Sequence, residues 1–387
     1  MPANEFDYYA IEELLTEDER LVRDSVKQFV DSEVLPVIEK YYSEGAFPAH
    51  LVPKMAELGL FGVTLPTEYG GSVANYTCYG LAMQELERGD SAIRSFASVQ
   101  NSLVMFPIFQ YGKEEIKKKW LPKLATGEAI GCFGLTEPDF GSNPGGMLTA
   151  AQKTDAGYLL NGAKMWITNG TIADIAIVWA KLDGIVCGFL VEKGTKGFTA
   201  PEMRGKHSLR ASVTSELIFQ DCEIPEENIL NIKGLKGPLS CLTKARYGIS
   251  WGAIGAAIAV FESSLNYSKT RIQFDKPIAS FQLVQEKLVW MLNEITKAQL
   301  IAHRLGRLMD EGKARNQQVS LAKRNNVGIA LDCARLARAI HGANGILNEY
   351  PVMRHIANLE SVNTYEGTYD IHTLILGEDI TGIPAYE

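Results

Sequence analysis

Apolar positions fall at helical spacing through the first third of the chain. From Asp18 to Val37 leucine and valine recur every three or four residues, and Leu51 to Leu60 repeats the pattern. The segment Glu68-Tyr69-Gly70-Gly71 reads as a turn, and Tyr76 to Arg88 as a further helix. The texture changes near Gly131. The run Tyr158 to Ile167 predicts two strands joined by Asn161-Gly162, a pair that suits a type I′ hairpin turn. Asp174 to Leu182 and Ile185 to Val191 are short β-rich runs, and in Ser215 to Ile224 Leu217 and Phe219 alternate with Glu216 and Gln220. Short strands with turns between them and no crossover helices predict a small antiparallel sheet or barrel rather than a Rossmann unit. After Gly237 the helical period returns. Phe281, Val284, Leu288, Met291, Ile295, Ala298, Ala302, Leu305 and Leu308 mark one long amphipathic helix closed by Gly312. Ser320 to Ile340 predicts another helix, and Thr373 to Ile380 a shorter one.

At 387 residues the chain exceeds what one core usually organises. The pattern divides it into a helical domain (1–130), a β domain (131–236) and a second helical domain (237–387). With 46% hydrophobic and 22% charged residues the composition is that of a globular protein. The net charge of −8 argues against a nucleic-acid partner, since phosphate binding needs a basic face. The six cysteines form no CxxC pair, which predicts buried, unbridged thiols in a reducing compartment, and no histidine spacing suggests a metal. The start, MPANEFDYYAIEELL, is acidic and unlike a signal peptide, and no stretch reads as a membrane span. The expected address is the cytoplasm, or an organelle matrix for a processed chain.

Several local patterns carry candidate chemistry beside a plainer reading. Gly248-Ile249-Ser250-Trp251-Gly252 matches the GxSxG nucleophile elbow, but it sits in small residues at helical spacing with no strand before it, so close helix packing explains it better. Phe133 to Ser142 is a polar, glycine-containing loop at the helix-to-β boundary, and spacing alone makes it a connection. Trp166 and Thr168 end a strand with an aromatic plane and a hydroxyl, suited to a planar cofactor or, alternatively, to a core tryptophan and a turn threonine. Glu87 and Arg94, seven apart in a helical stretch, share a face, with Ser95 adjoining. A charged surface face is the ordinary reading, although arginine beside a hydroxyl also suits a carboxylate ligand. Glu366 lies in a polar run, Asn363 to Asp370, where desolvation would make it a general base and where spacing alone favours a surface-loop glutamate.

Together these segments resemble the acyl-CoA dehydrogenase family from about Thr16 onward. The carriers are Gly134-Leu135-Thr136-Glu137-Pro138, Trp166-Ile167-Thr168-Asn169, Arg271-Ile272-Gln273-Phe274 and Tyr365-Glu366-Gly367-Thr368. The resemblance implies a multidomain α and β fold, with an N-terminal helical domain, a middle β-barrel-like domain and a C-terminal four-helix bundle, binding FAD non-covalently. It implies that Phe133, Leu135, Thr136 and Ser142 line the flavin and the adjoining CoA phosphates, and that Trp166 and Thr168 contact the isoalloxazine from the other side. Arg271 and Gln282, with Gln273, Phe274 and the loop at Gly342 and Ala343, would reach FAD in a neighbouring subunit of a homotetramer, and Thr368 belongs to the same cofactor set. Glu366 would take the α-proton of an acyl-CoA while the β-hydrogen leaves as hydride, with its own N–H and an FAD hydroxyl at the thioester oxygen.

Within the family, Glu87, Arg94 and Ser95 are similar to the glutaryl-CoA dehydrogenase pattern, in which arginine and serine hold the terminal carboxylate. Arg246, Tyr365 and Gly367 complete the expected substrate set. Retention of Glu87, Ser95 and Tyr365 implies the decarboxylating type, which converts glutaryl-CoA to crotonyl-CoA and CO2 and passes electrons to electron-transfer flavoprotein, with lysine degradation among the pathways served. Asn143, Asp275 and Ala343 depart from the family pattern at cofactor-contact positions. The rivals are a short-chain dehydrogenase or oxidase of the same family, a serine thioesterase built on Ser250, and a silent family member that only binds.

Overall fold

The computed structural model describes residues 6–385, so the first five residues of the acidic start lie outside it. Thr16 opens α1 (Glu17–Phe29) with a capping box. Its Oγ accepts from Glu19 N at 3.3 Å while Glu19 Oε2 accepts from Thr16 N at 2.8 Å. The helix passes through a π-helical segment into α2 (Leu35–Glu44), where Gly45 ends it in the left-handed region. Then follow α3 (Val52–Glu57), α4 (Tyr76–Gly89), α5 (Ser91–Ser98), α6 (Phe106–Tyr111) and α7 (Glu114–Ala125). The apolar period of Asp18 to Val37 thus spans two helices and the wider turn between them.

The middle of the chain supplies β1 (Gly131–Gly134), β2 (Ala150–Thr154), β3 (Gly157–Thr168), β4 (Ile175–Leu182), β5 (Ile185–Glu192), β6 (Phe198–Thr199), β7 (Thr214–Pro225) and β8 (Ile229–Lys233). They form one sheet in the order β6-β7-β3-β2-β4-β5-β8, with β1 beside β4. Two sequence expectations are corrected here. Asn161-Gly162 is no hairpin turn: β3 runs through it as one strand with a bulge against β7, and the Asn161 side chain bonds Asp221 across the strands at 3.1 Å. The pairings β1·β4 and β2·β4 are parallel, because the β2–β3 hairpin carries the chain back without a helix. The sheet holds its own apolar cluster, including Leu160, Phe189 and Phe219, apart from the larger core that the helices share.

The final part is a bundle of α8 (Lys236–Thr270), α9 (Gln282–Asp310), α10 (Asn316–His341), α11 (Val352–Thr364) and α12 (Tyr369–Thr381), with a small hairpin, β9 (Ile272–Gln273) and β10 (Lys276–Pro277), after α8. Contrary to the sequence reading, α8 is long and apolar enough to cross a membrane, yet 78% of its apolar window is buried inside the protein. Alanine and glycine let it serve as the central helix. Ser250 lies mid-helix, fully buried, its hydroxyl donating to Tyr247 O at 2.7 Å. With no strand-to-helix turn to expose it, the serine thioesterase reading is overturned. All six cysteines are buried and unbridged.

Candidate active site

The site begins where α4 stops. Asp90 is extended (φ −166°, ψ 143°) and caps the next helix, accepting from Ala92 N at 2.7 Å. It is fully buried, and Arg354 Nη1 (2.6 Å) and Asn358 Nδ2 (2.9 Å) of α11 hold its other oxygen. Glu87 and Arg94 therefore stand on two helices that meet at Asp90, not on one face of one helix as the spacing suggests. The break folds α5 back so that Arg94 Nε donates to Glu87 Oε2 at 2.6 Å, with both side chains fully buried. Ser91 adds a bond to Glu87 Oε1 at 2.7 Å. A charged surface face is thereby excluded. Two buried ions are tolerated because each has a partner.

Arg94 keeps more in reserve. Its Nη2 donates to the Tyr365 hydroxyl, and the guanidinium lies 5.6 Å from the Tyr365 ring centre. Its Nη1 is buried and has no hydrogen-bond partner within the protein. Ser95 is buried beside it. The pair also explains Gly252: a Cβ there would sit 2.0 Å from Glu87 Oε2 and 3.1 Å from Arg94 Nε, so only glycine lets α8 pass the ion pair this closely.

Glu366 sits in the turn between α11 and α12 with φ 54°, in the left-handed region that a non-glycine residue seldom occupies. Gly367 follows at φ 93°, where a Cβ would crowd His372 Nε2 at 2.9 Å. The turn is held from the main chain. Arg246 Nε donates to Glu366 O at 2.7 Å, and Lys323 Nζ donates to Tyr365 O (2.7 Å) and Gly367 O (2.6 Å). Thr368 caps α12, its Oγ1 accepting from Ile371 N at 3.1 Å. Glu366 as a whole keeps partial exposure, but its Oε2 is sealed from solvent and accepts no hydrogen bond. Burial therefore lifts the carboxyl above the ordinary glutamate range, against the opposing pull of Arg94, Lys323 and Arg246. A carboxyl oxygen that is buried and unpartnered has the chemistry of a candidate general base. Lys323 and His372 were not singled out from sequence. Lys323 lies inside an ordinary helical pattern, and only its tertiary contact with the Glu366 turn reveals it.

The second expected group assembles at the sheet. Met165 N donates to Thr136 O at 2.9 Å, placing Leu135 and Thr136 against β3 beside Trp166. The fully buried Lys164 braces this loop, reaching Leu135 O (3.1 Å) and Glu137 Oε1 (2.8 Å), while Glu137 also accepts from Leu148 N (2.6 Å) and Thr149 N (3.0 Å). Burial brings the Lys164 amine down to about 8, and the hydrogen bonds and the Lys164 charge hold Glu137 below its usual range despite its own burial. Phe133 and Leu135 are buried, and Ser142 is exposed at the loop's far end. Trp166 is not a core tryptophan: it is 59% exposed at φ 64°, with half-buried Thr168 two residues on. An exposed indole in a strained backbone beside a hydroxyl fits a flat aromatic cofactor. The third group, Arg271, Gln273, Phe274, Gln282, Gly342 and Ala343, is exposed around the β9–β10 hairpin, at the start of α9 and in the turn after α10, with Phe274 at 85%.

Family models agree with this anatomy. The acyl-CoA dehydrogenase N-terminal domain matches residues 16–128, the middle domain 132–222 and the C-terminal domain 233–381. An acyl-CoA dehydrogenase of Bacillus subtilis is 36% identical over 95% of this chain and 99% of its own length. The crystal structure of glutaryl-CoA dehydrogenase from Mycobacterium smegmatis superposes with a TM-score of 0.97 at 49% identity, covering 98% of this chain and 99% of that one. The M. smegmatis enzyme in complex with FADH2 gives 0.97 at 48%, covering 99% of both chains. Butyryl-CoA dehydrogenase from Megasphaera elsdenii gives 0.91 at 34%, covering 95% and 98%. With three domain models in family order and relatives this similar along their full length, the chain belongs to the acyl-CoA dehydrogenase family.

Proposed function

We propose that this enzyme is a glutaryl-CoA dehydrogenase that uses FAD and takes glutaryl-CoA to crotonyl-CoA and CO2, with Glu366 as the base. The observation that carries the reading is the unpartnered Nη1 of fully buried Arg94, held by Glu87 and Tyr365 close to the base turn. Around Glu366 stand three basic side chains, Arg94, Arg246 and Lys323, and Glu87 is the acidic group that pairs with Arg94. An anionic acyl tail suits that basic surround, whereas a neutral alkyl tail leaves a desolvated donor unmet.

FAD supplies the hydride acceptor when bound, and the loop at Phe133 to Ser142 with Trp166 and Thr168 would hold it. The protein's own contribution is positional and electrostatic. Arg94 and Ser95 fix the distal carboxylate and so set the α-carbon against Glu366. The Glu366 carboxylate takes the α-proton, and the Glu366 N–H donates to the thioester oxygen as charge gathers there. Loss of CO2 from the unsaturated product leaves a carbanion that the same protonated Glu366 quenches. Electrons leave to electron-transfer flavoprotein, and the homotetramer completes each cofactor site through Arg271 and Gln282. A second reading, a short-chain dehydrogenase for neutral acyl groups, is favoured only by the likeness to the butyryl-CoA enzyme.

Anaerobic mixing of the yellow protein with glutaryl-CoA or butyryl-CoA separates the two. Faster bleaching of the flavin by glutaryl-CoA supports the carboxylate site, and faster bleaching by butyryl-CoA overturns it.

A further inference from the structure

Lys323 is an unusual occupant of a helix bundle. It is 1% exposed on α10, and its amine bonds two main-chain oxygens rather than a carboxylate. A buried amine is costly unless its donors are met, and a methionine of similar volume would avoid that cost. The oxygens it meets are those of Tyr365 and Gly367, on either side of the base, while Arg246 takes the oxygen of Glu366 between them. Three successive carbonyls are thus drawn onto two cations.

The described residues contain no cis peptide bond, so each amide N–H lies opposite its carbonyl. The N–H of Glu366 shares a peptide with the oxygen on Lys323. It must therefore point away from that amine, and a cation on the oxygen makes it a stronger donor. The same two contacts oppose relaxation of Glu366 from its left-handed φ of 54°.

We infer that Lys323 is a positioning residue for the dehydrogenation: it aims and polarises the Glu366 N–H toward the thioester oxygen and holds Glu366 in its strained conformation. This rests on the function proposed above. The charged and titratable groups facing Lys323 are Glu366 from the turn, Arg246 from α8, Arg94 from α5 and His372 from α12. Burial and the two arginines bring the Lys323 amine down to about 7, and the Glu366 carboxylate opposes this.

The test uses the FAD-loaded enzyme and its Lys323→Met and Lys323→Arg variants. Flavin reduction by glutaryl-CoA and by butyryl-CoA is followed in single turnover across pH, and crotonyl-CoA affinity is read from the flavin spectrum. Lys323→Met is expected to keep its FAD and its crotonyl-CoA affinity, yet to reduce flavin about 100-fold more slowly, the scale of one lost oxyanion donor. The acid limb of its pH profile moves upward, because Glu366 loses a nearby cation, and Lys323→Arg restores most of the rate. An unchanged rate and pH limb in Lys323→Met overturns the inference. If Lys323→Met does not fold, the arginine variant decides: a rate well above background supports the inference, and loss of rate together with FAD and crotonyl-CoA affinity marks Lys323 as merely structural. A wild-type enzyme reduced by neither thioester would overturn the functional reading and this inference together, whereas an unchanged variant-to-wild-type ratio overturns this inference alone.

Discussion

Glu366 holds a buried carboxyl oxygen that no protein group satisfies, and the base role proposed for it rests on that. Replacing it with glutamine keeps the shape but removes the base, so flavin reduction by acyl-CoA should fall by about 10²–10⁴-fold, the usual contribution of a positioned base. Stopped-flow reduction of the Glu366→Gln enzyme checks this, and near-normal rates would remove Glu366 from the mechanism. The pH dependence has a definite sign. The carboxyl must be ionised to act and burial raises its pKa, so kcat/KM should decline as pH falls through a value above the ordinary 4.5 for glutamate. A profile flat down to that value contradicts the burial argument. Arg94→Lys keeps the charge but loses the fork that serves Glu87, Tyr365 and the free Nη1 at once. Preference for glutaryl-CoA over butyryl-CoA, measured as a ratio of kcat/KM, should drop by roughly tenfold or more. An unchanged ratio would move carboxylate recognition elsewhere.

At the scale of elements, the long periodic helices and the β4 and β5 runs were legible from sequence, because burial of one face writes a 3.6- or 2-residue period directly into the chain. The features that were not legible depend on contacts distant in sequence. The β3 bulge is held by Asp221 on another strand, the break between α4 and α5 by Arg354 and Asn358 on α11, and the base turn by Lys323 on α10. Likewise, resemblance pointed to Glu87 and Arg94, but only the break at Asp90 explains why they touch. Asp90→Ala removes a helix cap and the buried acceptor of Arg354 and Asn358, leaving Arg354 with the partly exposed Glu39 as its remaining carboxylate. A loss of about 2–4 kcal/mol follows from the lost cap and the lost charged hydrogen bonds, and denaturant unfolding of the variant checks it. A loss under 1 kcal/mol would mean the junction is held by packing alone. Gly252→Ala should act more narrowly, displacing the Glu87–Arg94 pair and lowering glutaryl-CoA selectivity more than butyryl-CoA turnover.

For the whole molecule, the proposed function draws on three parts of the chain: the sheet loop and Trp166 for the cofactor, α4, α5 and α8 for the acyl end, and the α11–α12 turn for the base. The hairpin residues Arg271 to Phe274 stay exposed on a single chain. In the assembly proposed here they cover the cofactor of a neighbour, so a native mass near four chains is expected by sedimentation, with FAD retention falling in Arg271→Ala. A monomer that holds FAD tightly would contradict that arrangement. Product analysis tests the glutaryl-CoA assignment most directly. Glutaryl-CoA and an artificial electron acceptor are incubated with the FAD-loaded enzyme, and the CoA esters are identified by mass. Crotonyl-CoA with CO2 is the expected product. No turnover of glutaryl-CoA by an enzyme that readily oxidises butyryl-CoA would contradict that assignment.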